Sequence, residues 1–188
     1  MATIRKELVK DIGTREALLD QCFGEARFAK ASERLREGRL PADGLSFVAA
    51  ERGRLVGSVR LWHVTAGPGR PALLLGPLAV HPDVRCRGIG AALMHRAIED
   101  AARLGHRAVL LVGDAPYYGR FGFSAGKTGA LGLPGPYEKD RLLAREIVDG
   151  ALDGARGLIS PTGVRALIPD LASLIAGLRR NEAAAHAA

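Results

Sequence analysis

Cysteine is scarce in this chain, with Cys22 and Cys86 the two among 188 residues. Far apart and without a Cys-x-x-Cys spacing, they offer no disulfide framework, and reduced thiols in a cytoplasmic protein are the expectation. No apolar stretch approaches the ~18–20 residues of a membrane helix. The opening Met-Ala-Thr-Ile-Arg-Lys-Glu-Leu-Val alternates charge with apolar residues and lacks a secretory apolar core, so no membrane partner is expected. The histidines, at positions 63, 81, 95, 106 and 186, show no i,i+4 pairing and no carboxylate or thiol at ligand spacing. No metal is therefore expected. Internal repeats are lacking, and so are runs of five or six like charges. The net charge of +7 comes mostly from arginine spread along the whole chain. A cofactor with several phosphates, an acidic partner, RNA or solubility would each account for it, and charge alone does not choose. Apolar content of 47% and charged content of 25% suit a globular domain long enough to bury a core.

What the chain does carry is a glycine-punctuated turn, Arg85-Cys86-Arg87-Gly88-Ile89-Gly90. It lies between the apolar run Leu73-Leu74-Leu75-Gly76-Pro77-Leu78-Ala79-Val80 and a helical pattern. A strand-to-helix turn of this kind leaves backbone N–H groups unpaired at the positive end of a helix dipole, a ready site for phosphate or pyrophosphate. Gly88 and Gly90 would let an anion approach the backbone. Cys86 reads as a turn-filling residue. A dinucleotide fingerprint fails, because position 93 is leucine where Gly-x-Gly-x-x-Gly needs glycine. Gly122 to Thr128 imitates a P-loop, but its glycines stand one residue too close and no helix pattern follows.

Around this turn the pattern predicts a mixed α/β sheet with a covered face. Ile4 to Leu8 alternates as a strand and Asp11 to Phe23 reads as a helix, whereas 24–39 are polar with a weak helical period. Phe47–Glu51 and Leu55–Trp62 form a hairpin around Arg52-Gly53-Arg54. After the turn, Ile89, Leu93, Ala97, Ala101 and Leu104 fall on one buried helical face, with Gly105 as terminator. Ala108–Val112 is the next strand. Two further strands are expected near 123–131 and over Leu142–Val148, separated by Leu133-Pro134-Gly135-Pro136. Leu167, Leu171, Leu174 and Leu178 make a C-terminal helical stripe, packed on its own sheet or at a homodimer contact.

About 30 residues after the turn stands Tyr117-Tyr118-Gly119-Arg120-Phe121-Gly122-Phe123. Arg-x-x-Gly-x-Gly followed by this segment, with a helix and a strand between, resembles the GNAT superfamily of N-acetyltransferases. The likeness covers roughly 120 residues. It is nearest to the bacterial subgroup of predicted N-acetyltransferases with Gly-Pro-Leu-Ala-Val before the loop and Tyr-Tyr-x-x-Phe-Gly-Phe after it. The resemblance implies an acyl-CoA N-acyltransferase fold, a mostly antiparallel mixed sheet splayed between strands 4 and 5 with flanking helices. Residues 1–165 would form the acetyltransferase domain, with a C-terminal helix and frayed tail over 166–188 as part of it. Acetyl-CoA would be the cosubstrate. Leu78, Ala79 and Val80 would border its pantetheine arm, Leu78 and Val80 offering backbone groups. Arg85, Cys86, Arg87, Gly88, Ile89, Gly90 and Ala91 would hold the pyrophosphate, with Tyr117 and Phe121 walling the groove. Tyr118 would be the general acid, since a phenol of pKa near ~10 stays protonated at neutral pH.

The base is not legible: the strand that carries a glutamate in some family members has no carboxylate here. Glu51, His63, Asp83 and Asp114 remain candidates, beside a water chain or an amine that arrives neutral. The resemblance implies acetyl transfer to a small-molecule or peptide amine by direct attack in a ternary complex. Two other readings stay open: a non-catalytic acyl-CoA-binding regulatory module, and acetylation of aminoacyl-tRNA. Nucleic acid is not the favoured partner.

Overall fold

A computed structural model describes residues 2–166 of the chain. The sheet runs β1 (Thr3–Lys6), β2 (Ser46–Glu51), β3 (Arg54–Ala66), β4 (Pro71–Val80), β5 (Ala108–Val112) and β7 (Leu142–Glu146) in that spatial order. β8 (Gly157–Pro161) pairs with the far end of β3 and with the two-residue β6 (Leu131–Gly132). Pairing is antiparallel except between β4 and β5 and between β6 and β8. The mixed, mostly antiparallel α/β sheet expected from sequence is thus present.

The helices cover both faces. α1 (Ile12–Phe23) sets Leu18 and Leu19 on Val48, Leu55 and Ala79. α2 (Ile89–Arg103) buries Ile89, Leu93, Ala97 and Ala101 against Phe47, Leu61, Leu73 and Val109 on the opposite side. Neighbouring leucines of β4 serve different clusters, Leu73 and Leu75 on the α2 side and Leu74 with Trp62 and Leu110 on the other. A strand covered on both faces reads as a continuous apolar run instead of an alternation. Leu104 departs from the predicted stripe. The helix ends at Arg103, Leu104 is half-exposed, and Gly105 turns the chain at φ +81°.

One irregularity shapes everything that follows. β3 and β4 are in register at Val59↔Leu78 and again at Leu61↔Leu75, so Arg60 alone opposes Gly76 and Pro77. Such a bulge bends its strand and ends pairing on the other side. Accordingly β4 meets β5 only at Leu73↔Val109 and Leu74↔Leu110, and beyond the bulge it pairs with β3 alone. Trp62 Nε1 donates to the Gly76 carbonyl at 2.7 Å in a buried bond that fixes the bend. The strands diverge into a wedge.

Elsewhere the expectations need adjustment. The segment near 123–131 is mainly turn: Ser124 bridges Ala144, and Thr128 donates to the Leu142 carbonyl at 2.6 Å. Gly126, Lys127 and Gly129 suit turns better than a ladder. Residues 24–36 form two short 3-10 turns, Glu25–Ala29 and Glu33–Leu35. The predicted stripe from Leu167 to Leu178 lies outside the described residues. No helix among the described residues is long and apolar enough to cross a membrane.

Candidate active site

The wedge opens into a cleft of about 710 Å³, within the range of small-molecule sites. Its floor is Leu78, Ala79 and Val80, freed from β5 by the bulge. Its end wall is the turn before α2, where Arg85, Cys86, Gly88, Ile89, Gly90 and Ala91 all border the space. Cys86 and Gly88 adopt left-handed backbone at φ +62° and +78°, which curls the turn around the helix start. The first intrahelical bond is Ala92 N–H to the Gly88 carbonyl, 2.9 Å. Among the described residues, no backbone carbonyl accepts from the N–H groups of Arg87 to Ala91. They form the orphan donor set of a helix N-terminus. A side chain at Gly90 would begin 2.8 Å from the Tyr117 hydroxyl and 3.5 Å from Val80 Cγ2, so glycine keeps this corner open.

Arg87 is placed differently from its neighbours. Its guanidinium gives both Nη atoms to Glu51, at 2.9 and 2.6 Å, and does not border the cleft. Phe121 is also set back, buried behind Tyr117 with its ring edge-on to His95 at 5.2 Å. Several lining residues had no signal in the sequence. Cys22 and Phe23 come from α1, Cys22 Sγ donating to the Val80 carbonyl at 3.4 Å. Arg120 lies over the Tyr117 ring at 4.6 Å.

Tyr117 and Tyr118 stand on α3 (Ala115–Gly119), whose first turn is capped by Asp114 accepting the Tyr117 N–H at 3.1 Å. The two rings meet edge to face at 4.9 Å. Gly113 gives Tyr118 its place, since a Cβ there would fall 2.1 Å from ring carbon Cε2. Burial, with lesser help from Tyr117, pushes the Tyr118 phenol up to about 12. It therefore remains a proton donor at all ordinary pH values. Burial raises the Tyr117 phenol too.

A second chamber of about 650 Å³ adjoins the first, and the two share Phe23, Leu78, Arg85, Tyr117 and Tyr118. Tyr118 stands at their junction. Of the four carboxylates and histidines considered as bases, only Asp114 borders this chamber. Glu51 is committed to Arg87, whose hydrogen bonds hold its carboxyl below the usual range. Asp83 lies on the surface near His81 and Arg54. The His63 ring lies 5.4 Å from that of His106. Glu33, which the sequence did not single out, borders the chamber but pairs with Arg36 at 2.6 Å. Among the described residues no group of three or more His, Cys, Asp and Glu side chains could hold a metal ion.

Comparison with known proteins places this architecture. Residues 14–123 match the model of the acetyltransferase (GNAT) family. The chain is 29% identical over 157 residues to YhbS of Escherichia coli, an uncharacterized N-acetyltransferase, covering 83% of this chain and 93% of that protein. YjhQ of the same organism, also an uncharacterized N-acetyltransferase, is 30% identical over 132 residues, 69% of each. The crystal structure of YhbS in complex with CoA superposes with a TM-score of 0.72 at 30% identity, over 86% of this chain and 89% of that one. A GNAT acetyltransferase from Brucella melitensis, in complex with acetyl-CoA, gives 0.55 at 25% identity, over 81% and 99%. The match spans more than half of the chain, and the chain belongs to the GNAT family of N-acetyltransferases.

Proposed function

We propose that this chain transfers an acetyl group from acetyl-CoA to a primary amine by direct attack in a ternary complex. The observation that carries this is the meeting of two chambers at Tyr118, one walled by the helix-start turn and one open to an acceptor. The CoA and acetyl-CoA seen in the two related structures support the choice of cosubstrate. The motifs before and after the turn favour the bacterial subgroup named above. The unit is read as one domain over 1–165 to which 166–188 belong.

The residues fit the group. The unpaired N–H groups from Arg87 to Ala91 would hold a pyrophosphate, with Arg85 at its edge and Cys86 and Gly88 shaping the turn. Leu78, Ala79 and Val80 present a strand edge without a partner strand, suited to the amides of a pantetheine arm. Tyr117 walls that arm, and Phe121 supports Tyr117 from behind. When bound, acetyl-CoA supplies the thioester carbonyl and a thiolate leaving group. Tyr118 holds the proton for that thiolate. With its phenol near 12, its hydrogen bond strengthens as charge grows on sulfur; it passes its proton to the departing thiolate, and the proton lost by the attacking amine restores the phenol.

Thermal unfolding with and without acetyl-CoA, with ATP and NAD as controls, tests the cosubstrate. A ligand at ~100 times its Kd adds about 2.7 kcal/mol, a rise of roughly 5–10 °C at this size. Thiol release over an amine panel then tests transfer. A shift without release from any amine would leave a regulatory acyl-CoA-binding module, and no shift would make the turn merely structural.

A further inference from the structure

The second chamber has an unexpected charge for a site that must accept an amine. Lys30, Arg36 and Arg141 all border it, the first two from the ends of the 3-10 turns after α1 and the third from the 3-10 turn just before β7. An ammonium ion would be repelled there. The neighbouring acids do not cancel this field. Asp114 is engaged at the start of α3 and Glu33 in its pair with Arg36. Arg27, which also borders the chamber, is already matched by Glu16 and Asp20 at 2.7 and 3.0 Å. Among the described residues, Arg141 has only the exposed Glu138 as an ion-pair partner, at 3.8 Å.

Two details show that the cluster is incomplete as it stands. Arg36 is 7% exposed, and its buried Nε has no hydrogen-bond partner among the described residues. That group is expensive to leave unmet. Its Nη1 reaches the bulge, 3.6 Å from where a side chain at Gly76 would begin. Lys30 has no ion pair among the described residues, and its Nζ lies 5.0 Å from the centroid of the Phe23 ring. Its ammonium is held below the ordinary range by burial, then by Arg36 and Arg141. Cations are gathered here at mutual cost, in a concave space that focuses their field.

We infer that the acceptor is an acidic amine, whose carboxylate or phosphate lies among Lys30, Arg36 and Arg141 while its nitrogen faces Tyr118. A guanidinium fork and a lysine point charge are the donors that recognise such oxyanions. The same field disfavours the ammonium form of the amine and delivers it neutral, which answers the lack of an uncommitted base among the described residues. The inference rests on the acetyl-transfer reading, and its test must separate the two.

Matched acceptors provide that test: 4-aminobutyrate against 4-aminobutyramide for a carboxylate, and 2-aminoethyl phosphate against 2-aminoethanol for a phosphate. At least one acidic member should exceed its neutral partner in kcat/KM by about tenfold or more, the scale of one charge-assisted hydrogen bond. Lys30→Gln with Arg141→Gln, both at exposed positions, should collapse that ratio toward one while the acetyl-CoA thermal shift persists. Saturation-transfer NMR of the same acidic probes on CoA-saturated protein gives a readout without turnover. Binding should weaken in the double variant and with salt. Equal or better use of neutral amines or 1,4-diaminobutane, or no acidic probe bound at millimolar concentration, would overturn the inference and leave acetyl transfer intact. Acidic probes bound through Lys30 and Arg141 with no thiol released would instead overturn transfer and leave the oxyanion site standing.

Discussion

Replacing Gly113 with alanine tests whether the position of the Tyr118 hydroxyl governs turnover. Gly113 follows β5, and its N–H is fixed to the Arg141 carbonyl at 2.9 Å. A methyl group there would lie 2.1, 2.7 and 3.1 Å from Cε2, Cδ2 and Cζ of Tyr118. Carbon atoms in ordinary contact stand ~3.5–4.0 Å apart, so the ring must retreat by more than about 1 Å. Its escape is hindered by Tyr117, at 4.9 Å between centroids, and by Phe123 at 6.3 Å. Displacement of a reacting group by ~1 Å costs about 100-fold in rate. Overpacking costs about 1–3 kcal/mol in stability, hence about 2–12 °C in Tm. The assay is thiol release with an amine that the wild type acetylates, with acetyl-CoA affinity measured by calorimetry. Turnover should fall about 100-fold while Kd changes little. Combined with Tyr118→Phe, the loss should be far from additive, because both changes remove the same hydroxyl. A folded Gly113→Ala protein with full turnover would refute the reasoning.

Tyr118→Phe alone should lower turnover at least ~10-fold and leave acetyl-CoA affinity nearly unchanged. With the phenol near 12, the wild-type rate should show no loss from Tyr118 ionisation below about pH 11, and a limb lost in this variant at lower pH would contradict the assignment. Glu7 accepts from Arg15 and Arg60 at 2.6–2.8 Å with all three side chains at least nine-tenths buried. Glu7→Gln should therefore destabilise by about 3–5 kcal/mol, read as a fall in Tm or in denaturant midpoint. Asp11 is held at about 2, chiefly by hydrogen bonds from Arg5. A depressed carboxyl contributes stability above its unfolded pKa of ~3.9 and loses it as the pH falls toward 2. Asp11→Asn should thus lower Tm at pH 7, and the gap from wild type should close between about pH 4 and pH 2; a gap constant with pH would exclude the ion pair as its cause.

The parts of the site that lie on one continuous segment were legible before folding. The turn at 85–90, the helix face from Ile89 to Ala101, β5 and the tyrosine pair each announce themselves by local spacing. What was not legible is assembled across long sequence separations. Cys22 reaches Val80, and Glu7 reaches Arg60. β8 pairs with the end of β3, nearly a hundred residues away. Its own five residues, Gly157–Pro161, are too short and too glycine- and proline-bounded to stand out. The alternation Trp62, Val64, Ala66 did hold a signal that β3 extends past the hairpin, and all three are buried. The charged chamber wall at 24–36 showed only a weak helical period, because its two short 3-10 turns are too brief and too tightly wound to sustain one.

The two-residue join between β4 and β5 has a mechanical consequence. It leaves the sheet as two plates, β1 to β4 with β8 on one side and β5 with β7 on the other, the latter joined through five residue pairs. α2 and the shared core hold both plates, but along the wedge no ladder pairs connect β4 to β5. A molecule lying in the wedge would touch the strand edge of one plate and α3 of the other, acting as a strut between them. Hydrogen exchange in β5 and β7 should then slow together when the cleft is filled, although neither strand carries the helix-start turn.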